Sequence, residues 1–92
     1  MVYVDLTLNE VKRKLFESGY WRTTSKRFIR YEKPYKDSCI TIGVEITKTT
    51  SSKYSNLFVL VSYVFDCVNY NEILKEQQED LEVIFKDNLI KF

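Results

Sequence analysis

Cations and aromatic rings alternate over one stretch of the chain: Tyr20-Trp21-Arg22, then Lys26-Arg27-Phe28-Ile29-Arg30-Tyr31, with Lys33 and Lys36 just beyond. A surface of this kind can follow a phosphate backbone with its charges and stack bases on its rings. Arg22, Lys26, Arg27, Arg30, Lys33 and Lys36 are therefore the candidate nucleic-acid contacts. Strand periodicity supplies the competing reading, in which Ile29 and Tyr31 point into a core and the charges solubilise an edge.

Other chemistry is poorly supplied. The chain has no histidine, which removes the usual general base, a common metal ligand and the usual partner of a Ser or Cys nucleophile. Two glycines cannot build a phosphate-cradling loop, and neither the P-loop nor the dinucleotide pattern occurs. Glu72, Glu76 and Asp80 recur every four residues along one helix line. Carboxylates can hold Mg²⁺, yet a line of like charges is the ordinary form of a solvated helix face. Cys39 and Cys67 lack zinc spacing and further Cys or His partners. The expectation is a chain that is not an enzyme, with no cofactor, no metal and no evident small-molecule site.

Two strands must organise these residues. In residues 39–48, Ile40, Ile42, Val44 and Ile46 alternate with Thr41, Gly43, Glu45 and Thr47, the period of a half-buried strand. Residues 57–66 are richer still in β-branched and aromatic residues. Folding symmetrically about TTSSKYSN sets Ile40 opposite Phe65, Ile42 opposite Tyr63, Val44 opposite Val61 and Ile46 opposite Val59. A preceding strand, roughly Ser25 to Lys33, sends Ile29 and Tyr31 inward and lays Phe28 across Gly43, whose bare backbone a ring would cover.

Helices flank the strands. Thr7-x-x-Glu10 is a capping box, Leu6 and Val11 form its staple, and Gly19 supplies the left-handed stop. Leu8, Val11, Leu15 and Phe16 make the apolar stripe. Asn69-x-x-Glu72 repeats the capping pattern, with Val68 and Ile73 as a second staple, for a closing helix over about 70–89. Its inner stripe runs through Ile73, Leu74, Gln77, Leu81, Ile84, Phe85 and Leu89. The expected fold is α+β, one domain over residues 1–92. Its order is α-β-β-β-α: a three-stranded antiparallel meander with both helices on one face, and residues 2–5 available as a short extra strand.

Ile, Lys, Asn, Tyr and Phe, whose codons are rich in A and T, make 35 of the 92 residues. That bias suits a phage or another mobile element from an AT-rich genome. No apolar run is long enough to span a bilayer, and no secretory signal pattern opens the chain, so the expected location is the cytoplasm of a bacterial, archaeal or infected host cell. Charge is lopsided: residues 10–36 hold nine Lys or Arg against three Glu, while residues 66–92 hold seven acids against three Lys.

The expected register gathers Phe28, Phe58, Leu60, Ser62 and Val64 on an open outer face, a candidate protein interface. The strand over 57–66 also shows a bare apolar edge, for which residues 2–5 or the same strand of a second molecule compete; the homodimer is the favoured reading. On this register Leu60→Lys leaves a folded monomer and Val61→Lys unfolds the chain. Cys39 points outward and Cys67 inward, so both thiols stay free.

The helix–three strands–helix order resembles double-stranded-RNA-binding domains and, within that fold, the small HicA-type toxin ribonucleases. Glu17-Ser18-Gly19-Tyr20-Trp21 followed by Thr24-Ser25-Lys26 is similar in layout to the helix end and first strand of HicA-like proteins. The resemblance implies RNA as a partner. The segment matching the RNA-gripping lysines, Asn69 to Glu76, is acidic, and the catalytic histidine has no counterpart. Together these readings point to a small non-enzymatic binding protein that docks to a protein partner or to itself. A nucleic-acid module using residues 20–36 is the alternative, and a HicA-like fold without its catalytic histidine is the next.

Overall fold

The computed structural model describes residues 1–65 and 69–91. It is a mixed α+β fold of two helices and one antiparallel sheet of six strands. In chain order these are β1 (Val2–Asp5), α1 (Leu8–Glu17), β2 (Trp21–Arg22), β3 (Ile29–Pro34), β4 (Thr41–Thr49), β5 (Leu57–Phe65), α2 (Tyr70–Ile84) and β6 (Leu89–Ile90). The strands lie side by side in the order β2-β3-β4-β5-β1-β6. The three long strands expected from periodicity form a meander, but three short ones widen it. Strands of two residues are too short to show any period.

Local sequence accounts for α1 in detail. The Thr7 hydroxyl accepts from the Glu10 amide at 3.3 Å, and the Glu10 carboxylate accepts from the Thr7 amide at 3.2 Å. Leu6 and Val11 are both buried beside this box, as a staple requires. At the other end Gly19 takes φ +94°. The Tyr20 amide donates to Leu15 O and the Gly19 amide to Phe16 O, a Schellman turn. That turn delivers the Tyr20 ring into the core. Phe16 is corrected: it lies off the stripe and is 69% exposed.

The register of β4 on β5 differs from expectation by one residue. Ile42 faces Val64, Val44 faces Ser62 and Ile46 faces Leu60. Thr49 pairs with Leu57 instead of opening the loop, so an odd-numbered connector, residues 50–56, joins the strands. A shift of one turns every side chain of β5 over. β3 on β4 is shifted by four, with Tyr31 opposite Val44 and Glu32 opposite Gly43. An even shift preserves facing, so Tyr31 is buried as expected.

The core joins both helices to one set of strand residues. Val11 and Leu15 of α1 and Leu81 of α2, with Phe85 just after it, cluster with Val2, Val4, Val44, Ile46, Phe58 and Leu60. Gln77 is the buried polar member: its amide donates to Gly43 O at 2.9 Å and to the Tyr20 hydroxyl at 3.4 Å, pinning α2 to β4. The closing helix stops at Ile84 rather than Leu89. Lys86–Asn88 make a 3₁₀ turn, and Leu89 continues into β6 against Val4. Asp and Asn favour such turns because their side chains compete for backbone bonds.

The edge of β5 is not bare. Val2, Tyr3, Val4 and Asp5 pair with Leu60, Val59, Phe58 and Leu57, which removes the template for the expected homodimer through β5. Cys39 is free and exposed; Cys67 and the staple residue Val68 lie outside the described residues.

Candidate docking face

With the register established, the side of the sheet away from the shared core can be read strand by strand. Trp21, Glu32, Gly43 and Tyr63 form one row from β2 to β5. Arg30, Glu45 and Val61 form the next, and Pro34, Thr41 and Phe65 lie on the other side. Val59, Val61 and Tyr63 are half-buried on this outer face. Trp21 is 50% exposed, Phe28 45% and Phe65 47%.

Tyr63 and Arg30 hold the centre. The Tyr63 ring lies on β4 at Gly43, where a Cβ would collide with it, and its hydroxyl donates to Glu32 at 2.5 Å. Burial, then that hydrogen bond and the negative charge of Glu32, push the Tyr63 hydroxyl far above the ordinary tyrosine range. The Arg30 guanidinium stands 4.7 Å from the Phe28 ring centre and 5.4 Å from that of Tyr63, both cation–π distances. Its Nε donates to Glu45 at 3.2 Å. Phe65 meets Tyr63 edge to face with ring centres 5.2 Å apart. The result is a pre-set group of rings around one arginine, with both neighbouring carboxylates already engaged.

The candidate protein interface is largely overturned. Phe58 and Leu60 are buried in the core, and Ser62 and Val64 share their face of β5 by alternation. Only Phe28 keeps its expected side of the sheet, beside Arg30, while Glu32 takes the place opposite Gly43 that was expected for it. The outer set that replaces them is Tyr63 and Phe65 on β5, which the expected register sends inward, together with Trp21 on β2 at the far side of the same face. A signal existed: a strand glycine wants a covering ring, and Tyr63 of β5, not Phe28, meets that need.

The six candidate basic contacts do not form one patch. Arg22, Lys26 and Arg27 are exposed on the β2–β3 hairpin, with Arg22 donating to Phe28 O at 3.3 Å. Arg30 belongs to the ring group. Lys33 faces the other way, donating to Ser18 O at 3.2 Å with its ammonium 4.5 Å from the Tyr20 ring centre. Lys36 pairs with Glu76 at 3.2 Å.

That last pair crosses a groove of about 330 Å³ lined by Lys33, Tyr35, Lys36, Ile42, Glu76 and Asp80. Tyr35 donates to Glu76 at 2.6 Å there. Hydrogen bonds from Tyr35 and then Lys36 hold the Glu76 carboxyl below its usual range. These contacts fasten α2 to the β3–β4 turn, so the groove reads as a structural clasp. Among the described residues no cluster of three or more His, Cys, Asp or Glu could hold a metal, and no helix is long and apolar enough to cross a membrane. Four strands, β2 to β5, lie between the two helices where three were expected, and β1 and β6 widen the sheet to six. No protein-family model, curated protein or solved structure matches this chain.

Proposed function

We infer that this chain is a non-enzymatic binding module that docks a macromolecule on the outer face of its sheet, across strands β2 to β5. The reading takes both helices to lie on the core side, leaving that face for a partner. One observation carries it: Phe28 and Phe65, each about half exposed, flank the fixed Arg30–Tyr63 pair, and Trp21, also half exposed, lies on the same face opposite Glu32. Exposed rings grouped in this way keep apolar area in water that a partner would cover. A protein surface or a second copy of the chain would meet the face directly; the edge of β5 no longer enters, because β1 occupies it. The coding bias supports a phage or other mobile element as the source.

The test is a variant carrying Trp21→Ser, Phe28→Ser and Phe65→Ser. If the rings serve binding, the variant folds with a loss of no more than about 2 kcal/mol, the scale of one exposed cation–π contact and one ring–ring contact. A loss of about 3–5 kcal/mol per ring, the cost of emptying a core site, overturns the reading. Sedimentation of the wild type at high micromolar concentration identifies self-docking: a dimer that the variant abolishes makes the partner a second copy.

A further inference from the structure

We propose that the ligand of this face is a single-stranded nucleic acid, with bases stacked on Trp21, Phe28 and Phe65 and phosphates following Arg22, Lys26 and Arg27. The proposal rests on the outer face being the working surface. It differs from the RNA grip of double-stranded-RNA-binding domains, since the start of α2 takes no part.

Charge complementarity points to a polyanion. Among the described residues, Lys26 and Arg27 make no ion pair, and Arg22 donates only to a backbone carbonyl. Arg13, Arg30 and Lys36 are paired with Glu17, Glu45 and Glu76. What sets Arg22, Lys26 and Arg27 apart from the scattered lysines is their closeness in sequence to exposed rings. Three charges without an ion pair thus sit on the edge hairpin that carries Trp21 and Phe28. Lys26 and Arg27 lie in its turn, and Arg22 is on the opposite side of edge strand β2 from Trp21, level with Tyr31. Meanwhile Ile73, Gln77 and Leu81 of α2 are buried while Glu72, Glu79, Asp80 and Glu82 are exposed. The acidic surface therefore lies across the core from the rings, and a polyanion is drawn to one side of the molecule.

The rings select the form of that polyanion. Each nucleotide brings one charge and one planar π-face, which matches cations bordering exposed rings. An acidic peptide would meet the charges but leave the rings without flat partners. In a duplex the bases are paired and stacked, out of reach of Trp21 and Phe28. Glu32 and Glu45 lie between the rings, and both are held in place. They keep phosphates off the centre of the face and offer acceptors to exocyclic amino groups.

Trp21 is the one tryptophan of the chain, so its fluorescence reports the event without any substitution. Mixed-sequence DNA and RNA strands of about 12 nucleotides, and their duplexes, are titrated between about 25 and 200 mM salt. Expected are quenching by both single strands, weaker binding of duplex, and a slope of log K against log salt near −2 for three contacts. Anisotropy of a labelled strand follows the variants, with circular dichroism confirming that each is folded. R22Q/K26Q/R27Q should flatten the salt slope; W21A and F28A should each lose about tenfold affinity and leave the slope unchanged. No binding at the lowest salt overturns the proposal, as does equal binding of duplex that survives removal of the rings. If nucleic acid fails while the triple serine variant stays stably folded, only the ligand class falls. If the serine variant unfolds, the docking face itself falls.

Discussion

The Tyr63 ring rests on the backbone of Gly43 and occupies the space a side chain would need there. Gly43 is a glycine for reasons of room, since the left-handed glycine of this chain is Gly19. The contact locks β5 against β4 in one register and carries the Tyr63 hydroxyl across to Glu32 on β3. Three strands are thereby joined on the outer face by one residue.

Gly43→Ala should displace the ring and break the bond to Glu32, costing about 1–3 kcal/mol by overpacking. Urea denaturation measures it. In a Tyr63→Ser background the same change should cost far less, because the obstructing ring is gone. Equal cost in both backgrounds would show that the backbone, and not the ring, requires glycine.

Lysine scanning on β5 should follow the observed register. Leu60 is fully buried, so Leu60→Lys places a charge in the core and should unfold a domain held by about 5 kcal/mol. Val61 lies on the outer face, and Val61→Lys should stay folded with a change of about 1 kcal/mol or less. The register expected from sequence alone requires the opposite pair of outcomes, so circular dichroism of the two variants decides between them.

Alkali should weaken the fold through Tyr63. Its pKa is raised in the folded state, chiefly by burial and then by Glu32. The unfolded chain therefore loses this proton first as pH rises past about 10. The contribution is complete below that pH and declines above it. In a tyrosinate absorbance titration Tyr63 should ionise among the last of the tyrosines. Glu32→Gln should bring its ionisation to lower pH; an unchanged titration would remove Glu32 as a cause.

Loss of β1 should expose what it covers. Val4 is buried and lies between β5 and β6 in the sheet, and Val4→Pro removes a ladder donor from that position. The freed edge of β5 has no charge from Leu57 to Phe65, so the variant should associate with rising concentration. Light scattering would detect this, and a variant that stays monomeric and folded would show that β1 is dispensable as a cover.

Sequence by itself determined the parts whose signals are local. The capping box at Thr7, the stop at Gly19, the helical stripe through Ile73, Gln77 and Leu81, and the inward side of β4 all follow from spacing within one element. Trp21, Phe28 and the cations beside them were visible as ingredients in the same way. Tertiary structure decided which face of β5 meets the core. Leu57 to Phe65 is apolar on both sides, so its own alternation carries no preference. The choice fell to Thr49, a β-branched residue at the end of a polar run, which joined the strand and made the connector odd. That single pairing buried Phe58 and Leu60 and brought Tyr63 and Phe65 to the outer face. The short strands were likewise settled by their partners: residues 2–5, 21–22 and 89–90 are strands because an edge was there to pair with, and two or four residues cannot state that in advance.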